Sequence, residues 1–258
     1  GNSFLYSCGS LTEVDLTPLT ELVYVDHSFI GMNKKLEKVD FTGLKKLTTL
    51  TYQFAQYNGS AAPDKTKYIF KGCTNLSSLP DSSFNNGYIK ELDLSETKIT
   101  TIGNDFCKGS YVESFKLPET LEKVGNNFCC NTTFTNTSFS LGNLPNLKTI
   151  GTYFFAVYNN STSGKITNLA TLDLSGCTGL LADSGVSIGD YFLTSDSSMT
   201  TSLTTLSFPT ATTDTVPTAP TNRFISSITT IHCGSTDSAG WWGAKWYTTD
   251  VPTTVFVI

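Results

Sequence analysis

The amino-acid sequence predicts a repeat solenoid: a right-handed superhelix of short parallel strands, mostly β and loop, with little helix. The main observation is a phrase that occurs twice, IKELDLSETKITTIGNDF and SYVESFKLPETLEKVGNNF, whose last residues, Phe106 and Phe128, lie 22 positions apart. The second is the spacing L-x-x-L-x-L, which changes to period two at its end, as in a short strand with alternate residues pointing inward. Self-similarity at this period indicates stacked supersecondary units.

The same pattern extends towards the N-terminus in two copies that lie 25 residues apart. Their apolar positions are Leu11, Val14, Leu16, Leu19, Leu22, Val25 and Phe29, and then Leu36, Val39, Phe41, Leu44, Leu47, Leu50 and Phe54. With looser copies further on, the predicted phenylalanine anchors are Phe4, Phe29, Phe54, Phe84, Phe106, Phe128, Phe154, Phe192 and Phe224. We expect these rings to line one interior, each contributing about 1.5 to 3 kcal/mol by burial.

In four coils a glycine follows the last aliphatic residue of the second strand-like run, at Gly103, Gly125, Gly151 and Gly189. Glycine has no Cβ and adopts backbone conformations that are closed to other residues. We therefore expect a turn of that kind at each of these positions.

The last segment, residues 233–258, departs from the repeat and contains all three tryptophans, Trp241, Trp242 and Trp246. A solenoid needs a terminal cap to shield its core. We expect residues 1–232 to form about eight irregular coils and residues 233–258 to close the same domain as an aromatic cap. The alternative is that the tryptophans form a platform on which sugar rings stack, since indole rings suit both tasks.

Composition limits the possible partners. The chain has a net charge of −5 and a pI near 5.0, which argues against nucleic acid or an anionic membrane as partner. No apolar run approaches the roughly 20 residues that span a bilayer. Polarity is supplied mainly by Ser, Thr and Asn, as is common for exported surface proteins. We expect a monomer outside the cell or anchored at its surface, with an export signal that has been removed.

Seven cysteines are an odd number, and none of their spacings forms a CxxC pair of the kind that holds zinc. Most occupy repeat positions, so we interpret them as small buried hydrophobic residues. A disulfide that involves Cys129 or Cys130 is the alternative, and a metal site is the least favoured. No cofactor is expected.

Catalysis is not expected either. The two histidines, His27 and His232, lie near opposite ends of the predicted stack, whereas a catalytic triad requires hydrogen-bond contact between its members. The sequence also contains no phosphate-binding loop, HExxH motif or EF-hand pattern.

The outward positions of the first strand of each coil are better candidates for function. They include Asp15, Asp40, Asp93, Lys116 and Asp173. We expect a face that is acidic in its first half and that meets a basic protein or holds a divalent cation between stacked carboxylates. The alternative is a solvated face that only keeps the sheet soluble.

Two insert loops add aromatic candidates. The inserts that follow Phe54 and Phe154 share a Tyr-Asn-x-Ser core that begins at Tyr57 and Tyr158. Inserts in repeat proteins map to one face of the solenoid, which is often the binding face.

The chain resembles the BspA-type leucine-rich repeat proteins, a surface class of bacteria and protists. The resemblance rests on Phe115, Leu117, Pro118, Val124, Gly125 and Phe128, and it covers about residues 4–233. The alanine that precedes the anchor in that family is replaced here by Asp105, Asn127, Tyr153 and Tyr191. The resemblance implies secretion or surface anchoring and attachment to host proteins or other cells.

Together these observations predict an extracellular, non-catalytic leucine-rich repeat binding module for adhesion or protein interaction. Contacts are expected from the five strand positions named above and from the loop tyrosines. The alternative function is a glycan-binding surface module, with Trp242, Tyr57 and Tyr158 as stacking residues.

Overall fold

A computed structural model describes residues 2–61, 65–157, 168–194, 202–222, 227–246 and 255–258. The chain is a parallel β-solenoid of about eight turns that is only 7% helical. The predicted repeat solenoid, mostly β and loop, is therefore confirmed. Every strand pairing joins one coil to another in parallel, as stacked coils that all run in the same direction require.

The strands are short because each coil turns a corner after a few residues. In chain order they are β1 (Glu13–Asp15), β2 (Tyr24–Val25), β3 (Lys38–Asp40), β4 (Thr49–Leu50), β5 (Thr66–Ile69), β6 (Ser78–Leu79), β7 (Tyr88–Asp93), β8 (Thr101–Ile102), β9 (Tyr111–Val112), β10 (Phe115–Lys116), β11 (Lys123–Val124), β12 (Thr133–Phe134), β13 (Ser138–Ser140), β14 (Thr149–Ile150), β15 (Thr171–Asp173), β16 (Ser187–Ile188), β17 (Thr205–Ser207), β18 (Thr230–His232) and β19 (Val255–Val257). A 3₁₀ helix spans Thr178–Leu181, and the helix α1 spans Thr236–Trp246.

The first strands of successive coils form one side of the solenoid, and this side is divided into two ladders. One ladder has the order β1-β3-β5-β7-β9-β12, with β10 also paired to β7, and the other has the order β13-β15-β17-β18-β19. The second strands pair as β2-β4 and as β6-β8-β11-β14-β16. The ladder of second strands from β6 to β16 therefore continues without interruption past the point where the first side divides.

The division lies between β10 and β13. The long strand β7 pairs with β9 through its first half and with β10 through its second half. In the next coil, β12 pairs with β9 and so continues the ladder. Strand β13 does not pair with β10 and pairs with β15 instead. Side chains still bridge the gap, since the rings of Phe115 and Phe139 lie 4.6 Å apart.

The anchors form the predicted interior. The rings from Phe54 to Phe192 are fully buried and stack from coil to coil, as in the pairs Phe106–Phe128 at 4.9 Å and Phe154–Phe192 at 5.2 Å. The prediction is wrong for Phe4, which is 69% exposed because no coil covers its outer face. The predicted anchor Phe224 lies outside the described residues.

The glycine prediction is also wrong in its physical reason. None of the four glycines adopts a positive φ; that conformation falls two residues later, for example on Asp105 at 58° and on Tyr153 at 59°. The glycines are instead stacked on one another across the coils. A Cβ on Gly125 would lie 2.6 Å from the carbonyl carbon of Gly103, so this column admits no side chain.

The cysteines largely follow their prediction. All seven are free, and six are buried, whereas Cys8 is exposed. Burial raises the pKa of Cys73 to about 11 and that of Cys130 and Cys177 to about 12, because a thiolate is poorly solvated inside the core.

The C-terminal segment closes the core with a helix and adds one more strand. Trp242 is fully buried, stacks on Phe208 at 4.0 Å and donates its indole N–H to the carbonyl oxygen of Pro209 at 3.0 Å. The choice of Trp242 as a sugar-stacking residue is therefore wrong, because neither face of its ring is open to a ligand. Strand β19 then extends the ladder beyond β18 in the same register.

Candidate functional site: the strand face

The outward side chains of the first strands form a flat array, which we call the strand face. Because the strands pair residue by residue, these side chains stand in two columns. The first contains Glu13, Lys38, Lys67 and Glu91, and beyond the division Ser138, Thr171, Thr205 and Thr230. The second contains Asp15, Asp40, Ile69, Asp93 and Lys116, and beyond the division Ser140, Asp173, Ser207 and His232.

The four aspartates of the second column share a local structural role. Each carboxylate accepts a hydrogen bond from the backbone N–H two residues later, at 2.9 Å for Asp15, 2.9 Å for Asp40, 3.0 Å for Asp93 and 2.8 Å for Asp173. The residue that donates is a threonine or serine in every case. Such a bond fixes the turn that ends the strand. In the sequence, the motif Asp-x-Thr/Ser after an apolar residue predicts this turn, and the outward-position argument does not include it.

These bonds affect the pKa of Asp15 and of Asp93. Hydrogen bonds from the Thr17 hydroxyl and N–H lower the pKa of Asp15. At Asp93 burial acts to raise the pKa, but the bonds from Ser95 and the nearby Lys116 ammonium outweigh it and lower the pKa. Asp15 and Asp93 are thus held ionised at neutral pH.

In the first half of the strand face, which the sequence predicts to be acidic, lysines stand between the carboxylates. Lys38 contacts Glu13 at 2.9 Å and Asp40 at 3.4 Å, and its hydrogen bond to Glu13 raises its pKa. Further along, Lys67 approaches Glu91 at 3.3 Å. Lys38 and Lys67 both occupy outward positions of the strand face, so its negative charge is smaller than the predicted aspartates alone would give.

Chemical character changes along the strand face at the division. Before it the columns carry charges of both signs, and after it they carry mainly hydroxyl groups. The Ser140 hydroxyl donates to Asp173 at 3.0 Å, which joins two coils of this second part. His232, on β18, lies 3.2 Å from the carbonyl oxygen of Ile258, the residue that follows the last strand β19.

Shallow clefts mark the strand face. One of about 310 Å³ lies at the division, between Lys116 and Glu119 on one side and Ser140 and Asn143 on the other. Another, of about 260 Å³, lies among charged side chains that include Lys38, Lys65, Lys67 and Lys90. Lys116 pairs with Asp93 at 3.5 Å, yet its side chain is 72% exposed, so the ammonium is open to a partner.

Of the two predicted loop tyrosines, the structure describes only Tyr57. Tyr57 is 44% exposed on its insert loop, and its N–H donates to Asn85. Tyr158 lies outside the described residues. The structure instead contains two exposed or half-buried tyrosine pairs that the sequence analysis missed, Tyr88–Tyr111 at 4.4 Å and Tyr153–Tyr191 at 4.6 Å. The sequence feature that could have predicted the second pair is that Tyr153 and Tyr191 each directly precede a phenylalanine anchor.

The part of the chain described here contains no group of three His, Cys, Asp or Glu side chains arranged to hold a metal ion. The carboxylates on which a cation site was conceivable are engaged by lysines and by turn N–H groups. A larger cleft of about 500 Å³ lies near the cap, where Lys245 contacts Asp214 at 2.8 Å.

In comparisons with known proteins, the chain matches no family model, no curated protein and no solved structure. Among the described residues, no helix has the length and apolarity needed to cross a bilayer.

Proposed function

We propose that this chain is an extracellular, non-catalytic binding module of the BspA-like leucine-rich repeat type, which attaches to a protein partner at or near the cell surface. The observation that carries the proposal is the strand face, in which charges of both signs stand in register on a rigid ladder. Adjacent strands of the ladder lie about 4.8 Å apart, and this distance sets the spacing of those charges.

A flat array of this kind suits a protein partner better than a small molecule. Its clefts are shallow and lie side by side, from the charged group around Lys67 to the division at Lys116. Interleaved charges provide specificity, because a partner must match the sequence of signs along the columns. Lys116 is the contact on which we rely most, since it combines exposure with a neighbouring cleft.

The experiment is a binding screen by surface plasmon resonance against extracellular-matrix proteins, with a glycan array run on the same preparation. For a protein that binds, the variant Lys116→Glu is compared with the variant Lys123→Glu. Lys123 is an exposed lysine on β11, in the ladder of second strands. We expect Lys116→Glu to weaken binding about five- to tenfold, the equivalent of about 1 kcal/mol, and Lys123→Glu to leave it unchanged. Binding should also weaken as salt is raised. If the affinity of a bound protein changes neither with salt nor with the Lys116→Glu substitution, the strand face is not the surface that binds it.

A second candidate is a glycan-binding module, which the parallel ring pair Tyr153–Tyr191 favours. Tyrosine rings on a surface stack against the apolar face of a sugar. This function predicts array hits whose affinity is nearly independent of salt and falls when Tyr191 is changed to Ala. Tyr57→Ala tests the insert loop in the same assay.

A further inference from the structure

The strand face contains an internal gap between β10 and β13, with further coils on both sides of it. Lys116 of β10 and Ser140 of β13 border the gap in the same column of the strand face, and the cleft of about 310 Å³ lies between them. Nearby the coils are still joined, since the N–H of Thr135 donates to the carbonyl oxygen of Val112 at 3.0 Å. Within the described part of the chain, no hydrogen bond joins β10 to β13.

Side-chain amides bridge the two ends of the gap. Beside β9, the amide of Asn136 donates to the carbonyl oxygen of Glu113 at 3.0 Å. At the other end, the amides of Asn143 and Asn146 donate to the carboxylate and to the carbonyl oxygen of Glu119, both at 2.9 Å. The two bordering strands can therefore separate without the loss of any main-chain bond between them.

The main-chain groups of β10 that face the gap lack partners. The carbonyl oxygens of Ser114 and Lys116 accept bonds from β7 at 3.2 and 2.9 Å. Successive residues of a strand direct their main-chain groups to opposite sides, so those of Phe115 and Leu117 face the gap. These two residues are only 5% and 7% exposed, and no described residue bonds to their N–H or C=O groups. Buried main-chain groups are nearly always paired, so this edge is open to a ligand that can pair with it.

Strand β13 presents a similar edge from the opposite side. The N–H of Leu141 donates to Asp173 of β15 at 3.1 Å, so by the same alternation the N–H and C=O groups of Ser140 point into the gap. They too have no partner among the residues that the structure describes. Both edges thus offer the donors and acceptors that an added strand uses.

Side chains around the gap select the kind of strand. On the outer surface, an inserted residue would stand between Lys116 and Ser140. Asp93 lies 3.5 Å from Lys116 on the far side, and the Lys116 side chain is 72% exposed, so an acidic residue here continues the order of opposite charges. On the inner surface, the rings of Phe115 and Phe139 lie 4.6 Å apart and close the bottom of the gap. Only a small side chain fits above them.

We propose that the gap between β10 and β13 takes an extended segment of the protein partner as an added strand, with a small residue above the phenylalanine rings and an acidic residue beside Lys116. The inference rests on the proposed function, because it specifies how a protein partner engages the strand face. Insertion moves the bordering strands apart by about 4.8 Å, one strand spacing, against side-chain bridges alone. The added strand supplies main-chain bonds to both edges.

Amide hydrogen exchange followed by NMR tests the gap without a ligand. The N–H groups of Leu94 and Leu141 are bonded within the ladders, whereas those of Leu117 and Ser140 face the gap. We expect Leu117 and Ser140 to exchange at least about tenfold faster than the two bonded amides. Equal protection of all four amides would mean that the bordering strands are paired in solution, which overturns the proposal.

The probe for insertion is a fluorescein-labelled eight-residue peptide of alternating threonine and alanine, with glutamate at one central threonine. Its binding to the whole chain is followed by fluorescence anisotropy. Because an inserted strand bonds to both neighbours, N-methylation of either edge of the peptide should weaken binding at least about tenfold. Sensitivity on one edge only would place the peptide outside the gap and overturn the proposal, as would the absence of saturable binding up to about 1 mM. Bound peptide should also slow exchange of Leu117 and Ser140.

Matched protein variants locate the site. Ser140→Tyr places a bulky side chain at the gap, whereas Ser207→Tyr makes the same change in the same column on β17, which is paired on both sides. We expect the first to weaken peptide binding about tenfold or more and the second to leave it unchanged. Lys116→Glu should weaken binding of the glutamate peptide and strengthen that of a lysine version. Equal effects of the two tyrosine variants, or an unchanged charge preference in Lys116→Glu, overturn the proposal.

The outcomes separate this inference from the proposed function. If Lys116→Glu weakens binding of a matrix protein but the peptide does not bind, the strand face is retained and insertion is refuted. If the peptide binds as expected but no protein in the screen does, the gap is a strand-binding site and the choice of matrix proteins is wrong. Sedimentation velocity that shows a dimer dissociated by the peptide assigns the gap to a second copy and overturns the proposal.

Discussion

Two phenylalanines at the same repeat position provide a direct test of how the solenoid is stabilised. Phe128 is fully buried, with the rings of Phe106 at 4.9 Å and Phe154 at 5.6 Å, whereas the one aromatic ring beside Phe4 among the described residues is that of Phe29, at 5.8 Å. Replacing a fully buried Phe by Ala removes its transfer free energy and leaves a cavity, which together cost about 3 to 5 kcal/mol.

The same change at Phe4 should cost much less. With 69% of the residue exposed, only about a third of the usual 1.5 to 3 kcal/mol of burial is at stake, which is under about 1 kcal/mol, and no enclosed cavity forms. The two variants thus differ in coverage by neighbouring coils and not in the chemistry of the substitution.

Urea unfolding followed by circular dichroism measures both variants against the parent chain. We expect the midpoint to fall strongly for Phe128→Ala and to remain nearly unchanged for Phe4→Ala. Equal losses would refute the argument, because they would mean that the outer face of Phe4 is covered in solution or that coil position alone determines stability.

Three further predictions concern backbone packing, ionisation and thiol reactivity. Gly125→Ala should lower the thermal midpoint in calorimetry by an amount equivalent to about 1 to 3 kcal/mol, because its Cβ would overlap the preceding coil, whereas Gly9→Ala, with no atom nearby, should have little effect. The lowered pKa of Asp93 means that its contribution to stability is present above its ordinary value of 3.8 and is lost as the pH falls through the folded-state value. The thermal midpoint should therefore fall between about pH 5 and pH 2, and fall less in Asp93→Asn than in the exposed control Asp183→Asn. Under native conditions at about pH 8, a disulfide reagent should modify Cys8 and leave the buried thiols unmodified until urea is added, and rapid reaction of Cys8→Ser would contradict their burial.

Periodicity in the sequence was sufficient to predict the stacked coils, because inward residues recur in every coil regardless of what their neighbours are. Leu36 and Leu44 are buried as expected. The same rule fails at Leu19 and Phe4, since burial of a side chain at an end depends on a coil that the repeat pattern cannot supply. Position in the repeat and coverage by a neighbour are separate properties.

The candidate site was only partly predictable, since contacts between coils depend on register. The outward positions of Asp40, Asp93 and Lys116 follow from alternation within a strand, but which outward residues of neighbouring coils lie side by side does not, because coils differ in length. Gly125 shows the same limit: its local sequence suggests a turn, whereas the actual constraint is the backbone of the coil below. Trp242 was ambiguous from composition alone, and only packing against Phe208 decided it.

The division between β10 and β13 has a mechanical consequence. In a stack of repeats, stability is roughly a sum of terms between neighbours, so the junction with fewer bonds is the weakest. Here the first side keeps the β9–β12 pairing, whereas β10 and β13 do not pair and meet through the contact of Phe115 with Phe139; the other side keeps the β8-β11-β14 ladder intact. We expect bending to concentrate at this junction, about an axis along the intact ladder. The charged and hydroxyl parts of the strand face then tilt relative to each other as two rigid bodies.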